Sequence, residues 1–261
     1  MATMSIGKAW EEAVAFVSRE SSLLFPVALL FIALPSVILG EMTPPELTAW
    51  AASQPRGALP QIPASYGLAM LLTALLIWFG SLALFALALR PGISVGEALR
   101  LSLARLPVLI GTSFVAGGAI ALALIVLTLV GMVIAAVSPG LLAPLLGVAM
   151  VAVLAFVGVR LVLLNPVVID GQEGVVASLK RSWGLTKGHF WHLLGLIAVL
   201  TLVSLIASSA AQAVFGIMGR LIAGTDGARL IGGVAAAAVS TVVQVYMLVM
   251  LSRLYRQASE R

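Results

Sequence analysis

His189 and His192 are the only histidines of the chain, and they stand where an apolar run begins. Three residues apart on a helix, their rings share one face. Asp170 and Glu173 lie upstream, so the residue types of a metal site are near one another. The spacing is wrong for the familiar zinc pair, which places histidines four apart with a glutamate between them. The run His189-Phe190-Trp191-His192 suits the aromatic belt at a membrane surface better, so neither a metal nor any other cofactor is expected. Cysteine is absent, which removes thiolate zinc sites and disulfides. No serine occupies a Gly-x-Ser-x-Gly turn and no Gly-x-x-x-x-Gly-Lys loop occurs. The acidic residues are scattered, with no pair placed for acid-base work. No catalytic residue is assigned, and the sequence does not read as an enzyme.

The remaining chemistry is cationic. Arg160, Lys180, Arg181 and Lys187 cluster in one connection with Ser182, His189 and His192. Together these seven form a candidate site for an anionic lipid headgroup, since a basic residue near an anionic membrane surface gains about 1 kcal/mol. The same charges also serve topology, and both readings stand. Nucleic acid is not an expected partner: the net charge is +5, but the charges sit at the ends of apolar runs rather than along one patch.

The elements that must carry these residues are membrane helices. Hydrophobic residues make up 61% of the chain and charged ones 10%, against about 45–50% and about 25% in a soluble domain. Lipid is therefore the solvent for most of the chain. Apolar stretches lie near 22–40, 68–89, 107–135, 141–164, 193–217 and 230–252, each about the length a bilayer core requires. The third is long enough to tilt or bend, with Gly117-Gly118 as the expected flexing point, and Ser138-Pro139-Gly140 reads as a turn. The first span is expected to be retained, because acidic residues precede it and no small-residue cleavage site follows closely. The proline-rich connection 41–66 is expected to be irregular, with Trp50 and Tyr66 at the interface.

Lys8, Arg19, Arg90, Arg100, Arg105, Arg160, Lys180, Arg181, Lys187, Arg253, Arg256 and Arg261 fall on one side of a six-span layout. Arg56, Arg220 and Arg229 fall on the other. The excess marks the cytoplasmic side, so both termini are expected there. Composition points to the inner membrane of a bacterium. Span interiors lack ionisable residues apart from Arg160 near one end, which argues against a proton-coupled pump. Gln212 and Gln244 are the most polar groups inside the spans.

A weak repeat runs through the cytoplasmic segments. Ser5-Ile6-Gly7-Lys8-Ala9-Trp10, Ser94-Val95-Gly96-Glu97-Ala98-Leu99 and Gly174-Val175-Val176-Ala177-Ser178-Leu179 each open a short amphipathic stretch before an apolar hairpin. Their apolar faces, Ile6-Trp10-Ala13-Val14-Val17, Val95-Leu99-Leu103-Leu106 and Val176-Leu179-Trp183, are expected to lie in the headgroup plane. The fold class is thus an all-α integral membrane protein with six transmembrane helices. A single membrane domain, 1–261, would hold three repeats, 5–90, 94–164 and 170–255, each an interfacial helix plus a transmembrane hairpin.

The stretch from Arg160 to Gly195 carries a family resemblance. Asn165-Pro166, Asp170 and then Arg181, Ser182, Leu185 and Gly188 resemble the pattern of the glycerophosphoryl diester phosphodiesterase membrane-domain family and of related six-span bacterial proteins. Asp170 stands where glutamate is more usual in that pattern. Some members of the family join this region to a soluble phosphodiesterase barrel, for which the chain leaves no room. The resemblance therefore implies a membrane module without the hydrolase activity, in the setting of membrane lipid metabolism or transport. On the residues alone, Pro166 is expected to end span four, Asp170 to start the next helix, and Gly188 to relax the break before span five.

The functional expectation is a non-enzymatic polytopic membrane protein that binds anionic membrane lipid or acts as a membrane-embedded subunit. The alternative is a carrier or channel for a neutral or amphipathic small molecule. A polar cavity lined by Gln212, Gln244 and Ser208 would favour the carrier, and a sealed apolar bundle with a basic groove would favour lipid binding.

Overall fold

The computed structural model describes residues 5–52, 60–137, 139–171 and 173–259, without the side chains of 133–145. Arg56, Arg261 and the Ser138 of the expected turn lie outside the described residues. All regular elements among the described residues are helical: α1 (Ile6–Ala28), a π-helical turn (Leu29–Ala33), α2 (Leu34–Glu41), α3 (Pro45–Ala52), α4 (Ala64–Leu89), α5 (Val95–Val137), α6 (Pro139–Leu161), α7 (Leu164–Asp170), α8 (Val175–Leu185) and α9 (Phe190–Ser259). Five stretches are long and apolar enough to cross a membrane: Ile6–Glu41, Ala64–Leu89, Val95–Met132, Leu146–Asp170 and Phe190–Ser259.

The last of these is not one straight rod. Ala223 and Gly224 leave helical geometry, and Gly224 has φ +68° and ψ −149°, a region open essentially to glycine alone. The chain doubles back there. A Cβ built on Gly219 would collide with the backbone of Gly227, and one on Gly232 would stand 3.0 Å from the carbonyl oxygen of Gln212. Glycines let the two arms touch backbone to backbone, the packing mode open to helices in lipid, where small residues set the approach.

Helix α4 is the central element. Every residue from Gly80 to Leu89 is buried, and α4 packs on α1, α2, α5, α7 and α9. Gly80 lies against Phe31 closely enough that a Cβ would stand 2.5 Å from the phenylalanine Cβ. Phe31 belongs to the π turn, where the amide of Leu34 reaches back to the carbonyl of Leu29. Pro26 precedes that turn and cannot donate to the ladder, a sufficient cause for local rewinding.

The core sits at one end of the bundle. Ala9–Val17 of α1, the end of α4, Leu163–Ile169 and Val245–Tyr255 of α9 supply most of its fully buried side chains. This end also carries the basic connections, and the first and last described helices meet there: the Ser5 amide donates to Gln257 Oε1 at 3.1 Å. It is termed the basic end below.

Several expectations are corrected. Gly117-Gly118 does not flex α5, which runs unbroken from Val95 to Val137. Pro166 does not end span four. The helix already breaks at Val162-Leu163, and Pro166 lies in the first turn of the short, buried α7, where a missing amide costs nothing. Asp170 closes α7 instead of opening the next helix, which begins at Val175 behind Gly174. The connection 41–66 is not irregular throughout, since α3 occupies Pro45–Ala52.

The amphipathic stretches are helical, and each seats one side on the bundle. Helix α1 buries Ala9, Ala13, Phe16 and Val17, while Trp10 and Val14 remain exposed. Helix α5 buries Ala98 and Ser102 and exposes Leu103; α8 buries Ser178 and Ser182 and exposes Val176 and Trp183. In each case small residues four apart seat the helix on the bundle beside larger neighbours such as Phe16, Val17, Leu99 and Leu179, while Trp10, Leu103 and Trp183 point outward. Close seating needs small side chains, whereas an outward apolar residue at the interface is solvated by lipid. The openings also differ in capping. Ser94 and Glu97 form a reciprocal box, with the Glu97 amide donating to Ser94 Oγ at 3.2 Å and the Ser94 amide to Glu97 Oε2 at 3.0 Å. Ser5 caps Lys8 alone, and Gly174 offers no side chain.

Candidate headgroup site at the basic end

Arg160 is in the last turn of α6. Its Cζ lies 5.3 Å from the ring centre of Phe156, one turn earlier, and 5.4 Å from that of Trp183 on α8. Phe156 and Trp183 meet edge to face at 5.7 Å, and Phe190 adds a third ring at 5.6 Å from Phe156. Rings attract a cation through their faces, so the guanidinium is held by aromatic surface and no carboxylate pairs with it among the described residues. Its Nε and Nη1 are buried and have no hydrogen-bond partner. Buried charged donors without acceptors are costly. An oxyanion delivered to this edge would relieve that cost, and a guanidinium suits phosphate oxygens.

The other expected residues divide by role. Arg181 Nη1 pairs with Glu173 Oε1 at 3.2 Å, both groups being partly exposed. Ser182 is fully buried, and its hydroxyl donates to the Arg160 carbonyl at 3.0 Å. It is therefore spent on joining α8 to α6 and has no hydrogen left for a ligand. Lys180, Lys187 and His192 are exposed. His189 is half-buried with an unpartnered Nδ1. Among the described residues, no group of three or more histidines or acids could hold a metal.

Sequence reasoning missed four contributors. Thr186 is buried and reaches the same Arg160 carbonyl at 3.4 Å; its four-residue spacing from Ser182 was the available signal. Phe156 and Trp183, the walls of the cage, gave no separate signal. Tyr255, from the far end of the sequence, donates to Asp170 Oδ2 at 2.8 Å. Burial, then this bond, push the Tyr255 phenol above its ordinary pKa.

A second arginine is housed in the same manner. Arg253 Cζ lies 4.7 Å from the Phe16 ring centre, and its Nε is buried without a partner. Burial and then the neighbouring Arg256 lower its pKa, against the pull of Glu12. Arg256 itself donates to the carbonyl of Leu89, the last residue of α4. The basic end thus holds two aromatic-backed guanidiniums, one below α6 and α8 and one below α1 and α9.

The family motif falls within this joint. Arg181, Ser182 and Gly188 tie and turn α8, Pro166 lies buried in α7, and Asp170 receives Tyr255. Residues 138–258 match the family model described as the membrane domain of glycerophosphoryl diester phosphodiesterase. No curated protein and no solved structure matches the chain.

Proposed function

We propose that this chain, whose residues 138–258 match the membrane domain of glycerophosphoryl diester phosphodiesterase, is a six-span, non-enzymatic membrane protein that binds the phosphate of an anionic lipid at its basic end. The observation that carries this reading is the Arg160 guanidinium, clamped between Phe156 and Trp183 with two buried N–H donors unanswered. Lys187 and Lys180 add positive potential nearby on the same helix and its exit.

The break at Ala223-Gly224 supports counting α9 as two spans, which makes the number even. The meeting of Ser5 with Gln257 supports placing both termini on one side. The excess of basic residues assigns that side to the cytoplasm of a bacterial inner membrane. Three units of interfacial helix plus hairpin are supported by the shared register of Ala9-Ala13, Ala98-Ser102 and Ser178-Ser182.

Native mass spectrometry of the protein extracted in mild detergent tests the headgroup site. A retained phosphatidylglycerol or cardiolipin, lost in Arg160→Gln and kept in Arg181→Ala, is the expected result. Retention no different from that of bulk zwitterionic lipid would leave these charges as topology signals only.

A second reading, a carrier for a neutral or amphipathic molecule, draws support from a polar recess between the two arms of α9. It contains Ser208 and Gln244 but not Gln212.

A further inference from the structure

The recess between the arms of α9 has a volume of about 300 Å³ and is walled in part by Thr201, Ser204, Ser208, Ser240 and Gln244. It lies within a helix pair that is otherwise apolar over most of its length. The hydroxyls of Ser208 and Ser240 are turned to their own helix, donating to the carbonyls of Leu205 and Ala237 at 3.2 and 3.0 Å. Each oxygen keeps acceptor capacity at the recess wall, because a hydroxyl that donates once still accepts. Thr201, Ser204 and the Gln244 amide make no hydrogen bond among the described residues. In hydrocarbon an unanswered amide costs a few kcal/mol, so this set requires a partner that both accepts and donates.

A second cavity adjoins the first. It is almost wholly apolar, has a volume of about 610 Å³, and runs between α6 (Leu154, Gly158), with Val162 just past its end, and the first arm of α9. The two cavities share Thr201, Leu205 and Met247. Gly158 has open space where a Cβ would stand. An apolar channel ending on a cluster of uncharged hydrogen-bonding groups has the polarity pattern of an amphiphile. The absence of any charged residue from both walls excludes an ionised ligand, whose desolvation nothing there would offset.

We propose that this joined cavity binds a neutral lipid bearing free hydroxyls, its hydrocarbon tail along α6 and its hydroxyl group among Ser204, Ser208, Ser240 and Gln244. The inference deepens the carrier reading only as far as a bound ligand, and it holds whether or not that ligand is transported. It does not depend on the headgroup site at Arg160.

The test is native mass spectrometry of the full chain in detergent with two probes, 1-monooleoylglycerol and its dimethyl ether, which has the same tail and no hydroxyl hydrogen. One monooleoylglycerol retained per chain is expected. Retention should fall about tenfold for the ether, the effect of losing one hydrogen bond of about 1.4 kcal/mol. A similar fall is expected in Gln244→Leu, with Ser240→Ala as the milder variant should Gln244→Leu not fold. Arg160→Gln should leave retention unchanged. Equal retention of the two probes would overturn the proposal, as would loss in Arg160→Gln with none in the recess variants.

Discussion

Replacing Ser182 and Thr186 together should loosen the membrane protein more than removing the charge beside them. Ser182 is fully buried and donates to the Arg160 carbonyl at 3.0 Å; the one hydroxyl hydrogen of Thr186 can turn to the same oxygen at 3.4 Å or to the Ser182 carbonyl at 3.1 Å. Ser182→Ala alone removes one neutral hydrogen bond, about 0.5–1.5 kcal/mol, and Thr186 remains to share the acceptor, so the low end is expected. In the double variant Ser182→Ala/Thr186→Val both donors are gone. The last carbonyls of a helix have no partner within it, so a buried acceptor is then orphaned, at about 1–3 kcal/mol beyond the lost bond. Arg181→Ala removes an ion pair whose two side chains are 36% and 38% exposed, worth at most about 1 kcal/mol after screening. The assay is reversible unfolding in mixed micelles of dodecyl maltoside and dodecyl sulfate, followed by tryptophan fluorescence. The double variant is expected to be the most damaging, with Ser182→Ala and Arg181→Ala both small and similar. If Arg181→Ala is the most damaging of the three, the basic residue of the motif holds the joint and the hydroxyls do not.

Further outcomes follow from other contacts. Gly224→Ala places a side chain where φ is +68° and ψ −149°; a loss of about 1–3 kcal/mol in the same unfolding assay is expected. Gly219→Leu forces the arms of α9 apart at Gly227 and should abolish the monodisperse peak in size-exclusion chromatography, whereas Gly233→Leu, at a position facing open space, should not. Tyr255→Phe removes the bond to Asp170 and should cost about 0.5–3 kcal/mol. Because the folded state raises the phenol's pKa, its contribution is complete below the ordinary tyrosine value of about 10 and fades as pH rises through the higher folded value. Unfolding midpoints at rising alkaline pH should therefore fall in the wild type and change less in Tyr255→Phe. Ser94→Ala opens the capping box of α5 and should lower stability by about 1 kcal/mol. It should also return the Glu97 carboxyl, now held below its ordinary pKa by the bonds from Ser94, toward that value in an NMR titration.

The membrane class and the all-helical fold were legible because each leaves a local trace. Long apolar runs announce spans, and Arg181-Ser182 with Gly188 announces a familiar turn. The seating of the amphipathic stretches was not legible in the same manner. A hydrophobic face read by residue size holds both the side chains that pack on the core, such as Val17, Leu99 and Leu179, and those left outside the bundle, Trp10, Leu103 and Trp183. Inside lipid, burial in protein and burial in hydrocarbon look alike to a hydrophobicity scale. What distinguishes them is the small residue that permits close approach, as at Ala13, Ser102 and Ser182. The Tyr255–Asp170 and Ser5–Gln257 bonds had no trace at all, since each joins residues far apart in sequence through the packing of α9.

The two ends of the bundle differ in a way that bears on both proposed sites. At the basic end side chains tie one element to another: Arg256 to the carbonyl closing α4, Ser182 to the carbonyl near the end of α6, Tyr255 to Asp170 of α7, and Gln257 to the start of α1. Such ties hold a charged group in fixed geometry before a ligand arrives, which is what a headgroup site requires. Toward the other end the ties between elements include the pair of Arg229 with Glu41 and the bond between Thr43 and Tyr66. The recess of α9 lies between these two regimes, with exposed Leu202 and Leu205 beside it. A ligand taken from the bilayer can enter there from the side, past helices packed by glycine contacts, without breaking any bond that holds the basic end together.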